Sequence, residues 1–333
     1  MEPSEKTQTQ TTDTEIKLEK IKISEGINSG GKYEEEGIKI KIWEESETKD
    51  YYIGDINKNG VKFLGVFNKD FQKDGYCLNK YINEEEYFGG YEHDERNRHG
   101  LYIYSTTVGK NIKKSQFYWG RWKDNLKDGR GVYLWLIENI SIEPFSDFDN
   151  SNFDSVVGDF KNDNCIKGVY MSKKGDDYSL YYGGFNENME KKGDNCFYYK
   201  ANVEKVIYGK MDKDEFIEGY YGKYDDDGKI IDLKNAQFNE ERKLIKSVDM
   251  DKINEEEKKK IIDLLENFRN IIMEEDFFGD LYKAFKEIID YKDKKMKDLH
   301  VLDSNEEYPN IMGLCAKYNS IKLFKQLEEH LKI

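Results

Sequence analysis

Tyr118-Trp-Gly-Arg-Trp-Lys-Asp-Asn-Leu-Lys-Asp-Gly-Arg-Gly-Val-Tyr133 is the stretch on which the fold turns. Its skeleton is aromatic-x-Gly-x-aromatic, a polar turn, then Gly-apolar-aromatic. Side chains alternate across a strand, so Tyr118, Gly120 and Trp122 point the same way, and the glycine leaves room for the flanking rings. One flat, sticky face results. Asn125-Leu-Lys-Asp-Gly129 is read as the reversal, because Asn, Asp and Gly tolerate the left-handed backbone that a tight hairpin requires. Gly131-Val-Tyr-Leu-Trp135 returns as the second strand, so one unit is one β-hairpin.

Degraded copies flank it. Tyr87-Phe-Gly-Gly-Tyr91 leads to Gly100-Leu-Tyr-Ile-Tyr104, and Val156-Val-Gly-Asp-Phe160 leads to Gly168-Val-Tyr170. Tyr181-Tyr-Gly-Gly-Phe185 leads to Gly193 and Cys196-Phe-Tyr-Tyr199, and Ile207-Tyr-Gly-Lys-Met211 leads to Gly219-Tyr-Tyr221. An earlier copy has two registers. Tyr52-Ile-Gly-Asp-Ile56 pairs with Gly65-Val-Phe67, or Phe63-Leu-Gly-Val-Phe67 itself opens a unit ending near Gly75-Tyr-Cys-Leu78.

The unit resembles the MORN repeat, Tyr-x-Gly-x-Trp followed by Gly-x-Gly and a short apolar strand. Tyr118, Gly120, Trp122, Gly129, Gly131, Val132 and Tyr133 match it position by position; the other copies keep the first glycine and mostly lack the paired Gly-x-Gly. A tandem of such hairpins, none able to bury its own face, is stabilised by its neighbours. The expected fold is mainly β with an α-helical C-terminus: β-hairpin repeats forming an elongated, twisted, single-layer ribbon, followed by a small helical module. The corresponding division is a disordered N-terminal arm at 1–32, a repeat array at 33–235 and a helical module at 236–333. The resemblance implies a non-enzymatic scaffold, bound to other proteins of a cytoskeletal assembly in the cytoplasm, of the ciliary axoneme and radial-spoke type. Its alternatives are a peripheral membrane or phospholipid tether and an accessory subunit of a signalling enzyme.

Composition bears on partners. The chain has 53 basic and 67 acidic residues and a net charge of -14, which opposes nucleic acid or an anionic membrane as a main partner. Only three prolines accompany 27 glycines, 25 tyrosines and 18 phenylalanines, so turns fall to Gly, Asn and Asp and the apolar content is aromatic. Cys77, Cys165, Cys196 and Cys315 form no C-x-x-C pair and read as reduced thiols. Neither a signal-like N-terminus nor a spanning apolar run is seen, and the expectation is an intracellular protein.

Ahead of the array, Ile38-Lys-Ile-Lys-Ile-Trp43 alternates as a half-buried strand that caps the first hairpin. Two insertions, Thr106 to Ser115 and Glu138 to Ser155, read as loops. Beyond Tyr224-Asp-Asp-Asp-Gly228 the period changes. Asn254 reads as an N-cap for a helix with Ile261, Ile262, Leu264, Leu265, Phe268, Ile271 and Ile272 on one stripe. A second helix is expected over Phe277 to Ile289, and a helical pair from Pro309 to Leu327.

Candidate chemistry is sparse. Asp55-Ile-Asn-Lys-Asn-Gly60 begins like a calcium loop, but Val66 occupies the closing carboxylate position, so a hairpin turn is expected. Asp147 to Asn152 and Asp225 to Gly228 fail likewise. His93 and His99 share a hairpin without a second ligand at zinc spacing, and no nucleophile elbow, Walker loop or His-Glu-x-x-His occurs. No catalytic residue, metal or cofactor is assigned. Tyr91, Trp122, Phe160 and Phe185 are the candidate partner-binding aromatics, with two readings: a continuous stacked spine or an open groove.

Overall fold

A computed structural model describes residues 32–35, 38–45, 51–58, 60–108, 111–136, 152–238, 244–249 and 254–273. The first strands are β1 (Lys32–Glu35), β2 (Ile38–Glu45), β3 (Tyr51–Lys58), β4 (Val61–Asn68), β5 (Lys73–Lys80) and β6 (Glu86–Glu92). Next come β7 (Glu95–Val108), β8 (Asn111–Lys123), β9 (Leu126–Leu136), β10 (Phe153–Lys161), β11 (Asn164–Lys174) and β12 (Asp177–Phe185). The series closes with β13 (Lys191–Lys200), β14 (Lys205–Asp212), β15 (Glu215–Tyr224), β16 (Ile230–Phe238), β17 (Leu244–Asp249) and the helix α1 (Glu255–Met273). Among the described residues 17 strands form one sheet in which each is antiparallel to the next in sequence.

A file of small residues fixes the register. Gly54 faces Gly65, which faces Cys77, then Gly89, Gly100, Gly120 and Gly131 in turn. Gly131 continues to Gly158, Gly168 and Gly183. Across a bulge, a Cβ at Gly183 would lie 2.8 Å from the Cys196 sulfur. Cys196 then faces Gly209, and the file ends through Gly219, Ala236 and Ser247. Each strand from β3 to β17 thus contributes one small residue to the line. Both registers considered around 52–78 are present together, since β4 pairs with β3 on one side and with β5 on the other.

The file is small because rings lie across it. A Cβ on Gly120 would sit 2.6 Å from the Cα of Gly131 and run into the Tyr118 ring. Tyr87 covers Gly89 and Gly100 in the same way. Each covering phenol donates to a carbonyl three residues on: Tyr87 to Gly90 at 3.1 Å, Tyr118 to Arg121 at 3.0 Å and Tyr181 to Gly184 at 2.7 Å. The ladder shifts at these places, between Gly89 and Tyr91 and between Gly120 and Trp122. A bulge leaves backbone groups without a ladder partner, and the phenol supplies one.

Both faces of the central strands are buried. Opposite the ring-bearing face, Phe88, Leu101, Trp119, Val132, Val157, Val169, Tyr182 and Phe197 are each no more than 3% exposed. A bare single layer with one apolar face is therefore not what the central strands are. The sequence carries the reason: Val156-Val157 and Tyr181-Tyr182 put apolar side chains on both faces, the pattern of doubly covered strands. α1 covers part of this second face, with Phe268 stacked on Phe197 at 4.5 Å and the Tyr224 hydroxyl donating to the Leu265 carbonyl. Its N-cap is as expected, Asn254 Oδ1 accepting from the Glu256 N–H at 2.8 Å.

Several boundaries differ from the sequence reading. The turn of the Tyr118 unit is tighter than Asn125–Gly129: Asp124 and Asn125, with φ of 49° and 68°, make it alone, and β9 begins at Leu126. Thr106 to Ser115 is not a loop, for β7 and β8 run on as a long hairpin to the Val108–Asn111 pair. The sheet passes residue 235, the expected end of the array, because Gln237 pairs with Lys246 and β17 lies within the segment assigned to helices. Asp55 to Gly60 belongs to the β3–β4 hairpin, as expected. The N-terminal arm, most of the second insertion and both later helical segments lie outside the described residues.

Candidate functional site

The four nominated aromatics sit in one buried cluster. Tyr91, Trp122, Phe160 and Phe185 are between 2% and 4% exposed. Trp122 meets Tyr118 edge to face at 5.2 Å and Tyr87 at 5.4 Å, and its indole N–H donates to the Gly100 carbonyl. Phe160 meets Tyr118 at 5.0 Å, Tyr91 meets Tyr87 at 5.1 Å and Phe185 meets Tyr181 at 5.3 Å. These are edge-to-face pairs of the kind that ring quadrupoles favour. They make the spine, not an open groove.

Sequence reading missed the cations that run along this spine. Arg96 lies over Trp122 at 4.7 Å and Tyr102 at 5.2 Å; Lys127 lies over Tyr133, Tyr118 and Tyr104 at 5.1, 5.5 and 5.6 Å. Lys73 covers Phe63 and Tyr91, and Lys191 covers Tyr170 and Tyr181. Such contacts stabilise more as water is excluded. A signal was present: Lys73, Arg96 and Lys127 each stand four residues before the file residue of their strand, Cys77, Gly100 and Gly131.

Each cation-bearing residue is also clasped by the turn of the following hairpin. Lys127 N–H donates to Asp163 Oδ1 at 2.8 Å while Asp163 N–H donates back to the Lys127 carbonyl at 3.0 Å. The same reciprocal pair joins Lys73 to Asp94, Arg96 to Asn125 and Lys191 to Asp214. Asp94, Asn125, Asp163 and Asp214 are all second residues of two-residue turns, with φ between 68° and 70°. Left-handed Asp and Asn are common in such turns, and here the side chain also reaches the neighbouring hairpin. For three of the four, a salt bridge of 3.0 to 4.0 Å reinforces the clasp.

At the rim of the spine the rings come up to the surface. Tyr81 stacks with Tyr102 at 5.9 Å, Tyr102 with Tyr104 at 4.3 Å, and Tyr104 meets Tyr133 at 6.0 Å. Tyr133 meets Trp135 at 5.3 Å, and Trp135 meets Tyr170 at 6.0 Å. Apart from buried Tyr102, these rings are half-buried. The ladder was readable as Tyr102-x-Tyr104 and Tyr133-x-Trp135, each a second aromatic two residues past the repeat's own.

Titrating groups are arranged for packing. Burial pushes the Cys77 and Cys165 thiols up to about 12, so neither is a ready nucleophile. Burial lowers the Lys127 ammonium; Asp163 opposes the shift and Arg96 adds to it. His99 is lowered by burial and then by Arg121, while His93 lies exposed in a turn. Among the described residues no His, Cys, Asp and Glu group has a metal-binding arrangement, and no helix is long and apolar enough to cross a membrane. No protein-family model matches the chain, and no curated protein matches it either.

Proposed function

We propose that the chain is a hairpin-repeat scaffold of the MORN type, holding other proteins of a cytoskeletal, axonemal assembly and catalysing nothing itself. The observation that carries this reading is the ladder from Tyr81 to Tyr170, a run of adjacent rings that are half-buried apart from buried Tyr102, on a sheet whose neighbouring hairpins are clasped together. Aromatic side chains that present an apolar body and a polar tip are favoured at protein interfaces. The MORN resemblance supplies the cytoskeletal setting, and the Tyr-over-Gly packing is compatible with it.

Proximity labelling in the chain's own cells tests the proposal, comparing the natural protein with a Tyr104→Ala, Trp135→Ala double variant. Cytoskeletal neighbours are expected for the first and their loss for the second, with the variant's far-UV spectrum unchanged. Neighbours confined to membranes or to an enzyme complex, or neighbours unaffected by the double variant, would sink it.

A further inference from the structure

The cross-strand line that carries Tyr104 and Trp135 changes character as it crosses the sheet. Trp135 faces Asp154, Asp154 faces Ser172 and Ser172 faces Ser179. Beyond Ser179 the line is Lys200, Lys205 and Lys223, on β13, β14 and β15, each directly opposite the next. Like charges in directly opposed positions destabilise a sheet. Arg130, by contrast, faces Asp159 at 3.1 Å, and Lys80, which faces Lys62, is answered by Glu86 on its other side at 3.4 Å.

The three lysines have no such answer. None forms an ion pair among the described residues, although the chain has 67 acids to draw on. Two acids close to them along the chain or across the turn are engaged elsewhere, Glu204 accepting from the Tyr199 hydroxyl at 2.9 Å and Asp177 from the Asn202 side-chain N–H at 2.9 Å. Asp226 and Asp227, exposed in the turn after β15, form no ion pair with Lys223 either. Lys205 and Lys223 are exposed and Lys200 is half-buried. One row inward on the same face stand Tyr198 and Tyr221, also half-buried.

We infer that this row binds a run of acidic residues in a partner protein. Directly opposed positions set the lysine stems about 5 Å apart. An extended acidic run offers a carboxylate about every 3.4 Å, so each lysine, on its flexible four-carbon stem, meets one. Tyr198 and Tyr221 give the segment an aromatic floor beside the charges. Net charge selects a short segment over an extended polyanion. Within a Debye length of about 8 Å the lysines set the local field, whereas a membrane surface or a nucleic acid meets the whole chain, with its charge of -14. An all-lysine row, without arginine's planar fork for phosphate, suits carboxylates. Asp154 closes the basic stretch on the side toward the aromatic ladder.

The test uses the full chain and fluorescein-labelled decaglutamate, followed by fluorescence anisotropy at about 20 mM salt, where surface charge is little screened. Binding is expected, and Lys205→Glu should weaken it by about tenfold or more. The same variant sets a carboxylate between Lys200 and Lys223, so its melting temperature should rise, which separates loss of the site from loss of the fold. Lys123→Glu, an equal change of net charge at an exposed position elsewhere, should bind like the parent. No binding by the natural chain overturns the inference. So does equal weakening by both variants, which would mark the overall field as the cause, or a Lys205→Glu variant that melts lower. Tighter binding to phosphatidylserine vesicles than to decaglutamate, lost in Lys205→Glu, overturns it in favour of a lipid surface. The inference does not depend on the scaffold reading: Tyr104→Ala with Trp135→Ala should leave decaglutamate binding unchanged.

Discussion

At Gly120 the space for a side chain is already taken, on one side by the Tyr118 ring and on the other by the Gly131 backbone. Gly120→Val should therefore destabilise by about 3 kcal/mol, the upper range for overpacking a filled interior. An unchanged melting temperature would show that the ring does not lie over the file. Gly175→Ala is the useful contrast: nothing lies within 4 Å of its Cβ, so only the left-handed backbone, φ 61°, resists, at about 1 kcal/mol. Buried protons give a second prediction at this scale. Cys77 and Cys165 are raised from 9.0 to about 12, and Tyr91 and Tyr118 are raised above 10.0, in each case chiefly by burial. Folding holds these protons while the unfolded chain releases them, so their stabilisation is complete below pH 9 and is lost as pH rises toward the folded values. Lys127, lowered in the folded state, has the opposite sign and is outnumbered. Melting temperature should be insensitive to these groups up to about pH 9 and fall above it, each such group adding about 1.4 kcal/mol per pH unit. A melting temperature that holds steady to pH 11 would contradict the buried placement.

Hairpins in this sheet are joined by more than ladder hydrogen bonds. The clasp from Asp163 to Lys127 supplies two backbone-directed bonds and a cation held against three rings. Asp163→Ala should cost about 1–2 kcal/mol in urea denaturation, since it leaves the Lys127 N–H unpaired and removes a residue suited to the left-handed turn. Asp163→Asn should restore most of that loss, because Asn125 fills the equivalent role toward Arg96 at 2.8 Å. Equal losses in the two variants would mean that the charge, and not the backbone bond, closes the clasp.

Across the whole molecule, the file makes hairpins interchangeable. Removing residues 159–183 joins Gly158 to Gly184 and Phe185, so the Gly-x-aromatic spacing and both faces are kept. That shortened chain should fold, with near-UV ellipticity like that of the parent and a lower melting temperature, as loss of one unit and its interfaces from an additive array requires. Removing 159–184 shifts the strand by one residue, sending every side chain beyond the joint to the other face, and should not fold. Were both deletions to fold equally well, register would not be set by the file.

The repeat, its hairpins and the role of Tyr118, Gly120 and Trp122 were legible in the sequence because they rest on local rules: alternation along a strand, left-handed residues in turns and glycine where a ring must lie. The N-cap at Asn254 was legible for the same reason. Only the tertiary structure decided which rings are spine and which are rim, since Trp122 and Trp135 differ in what packs on them and not in local pattern. Arg96 and Lys127 became spine residues only when the next hairpin placed Asn125 and Asp163 beside them, 29 and 36 positions along the chain. Burial of the second face likewise depends on elements distant in sequence, α1 among them, so alternation within one hairpin could not reveal it.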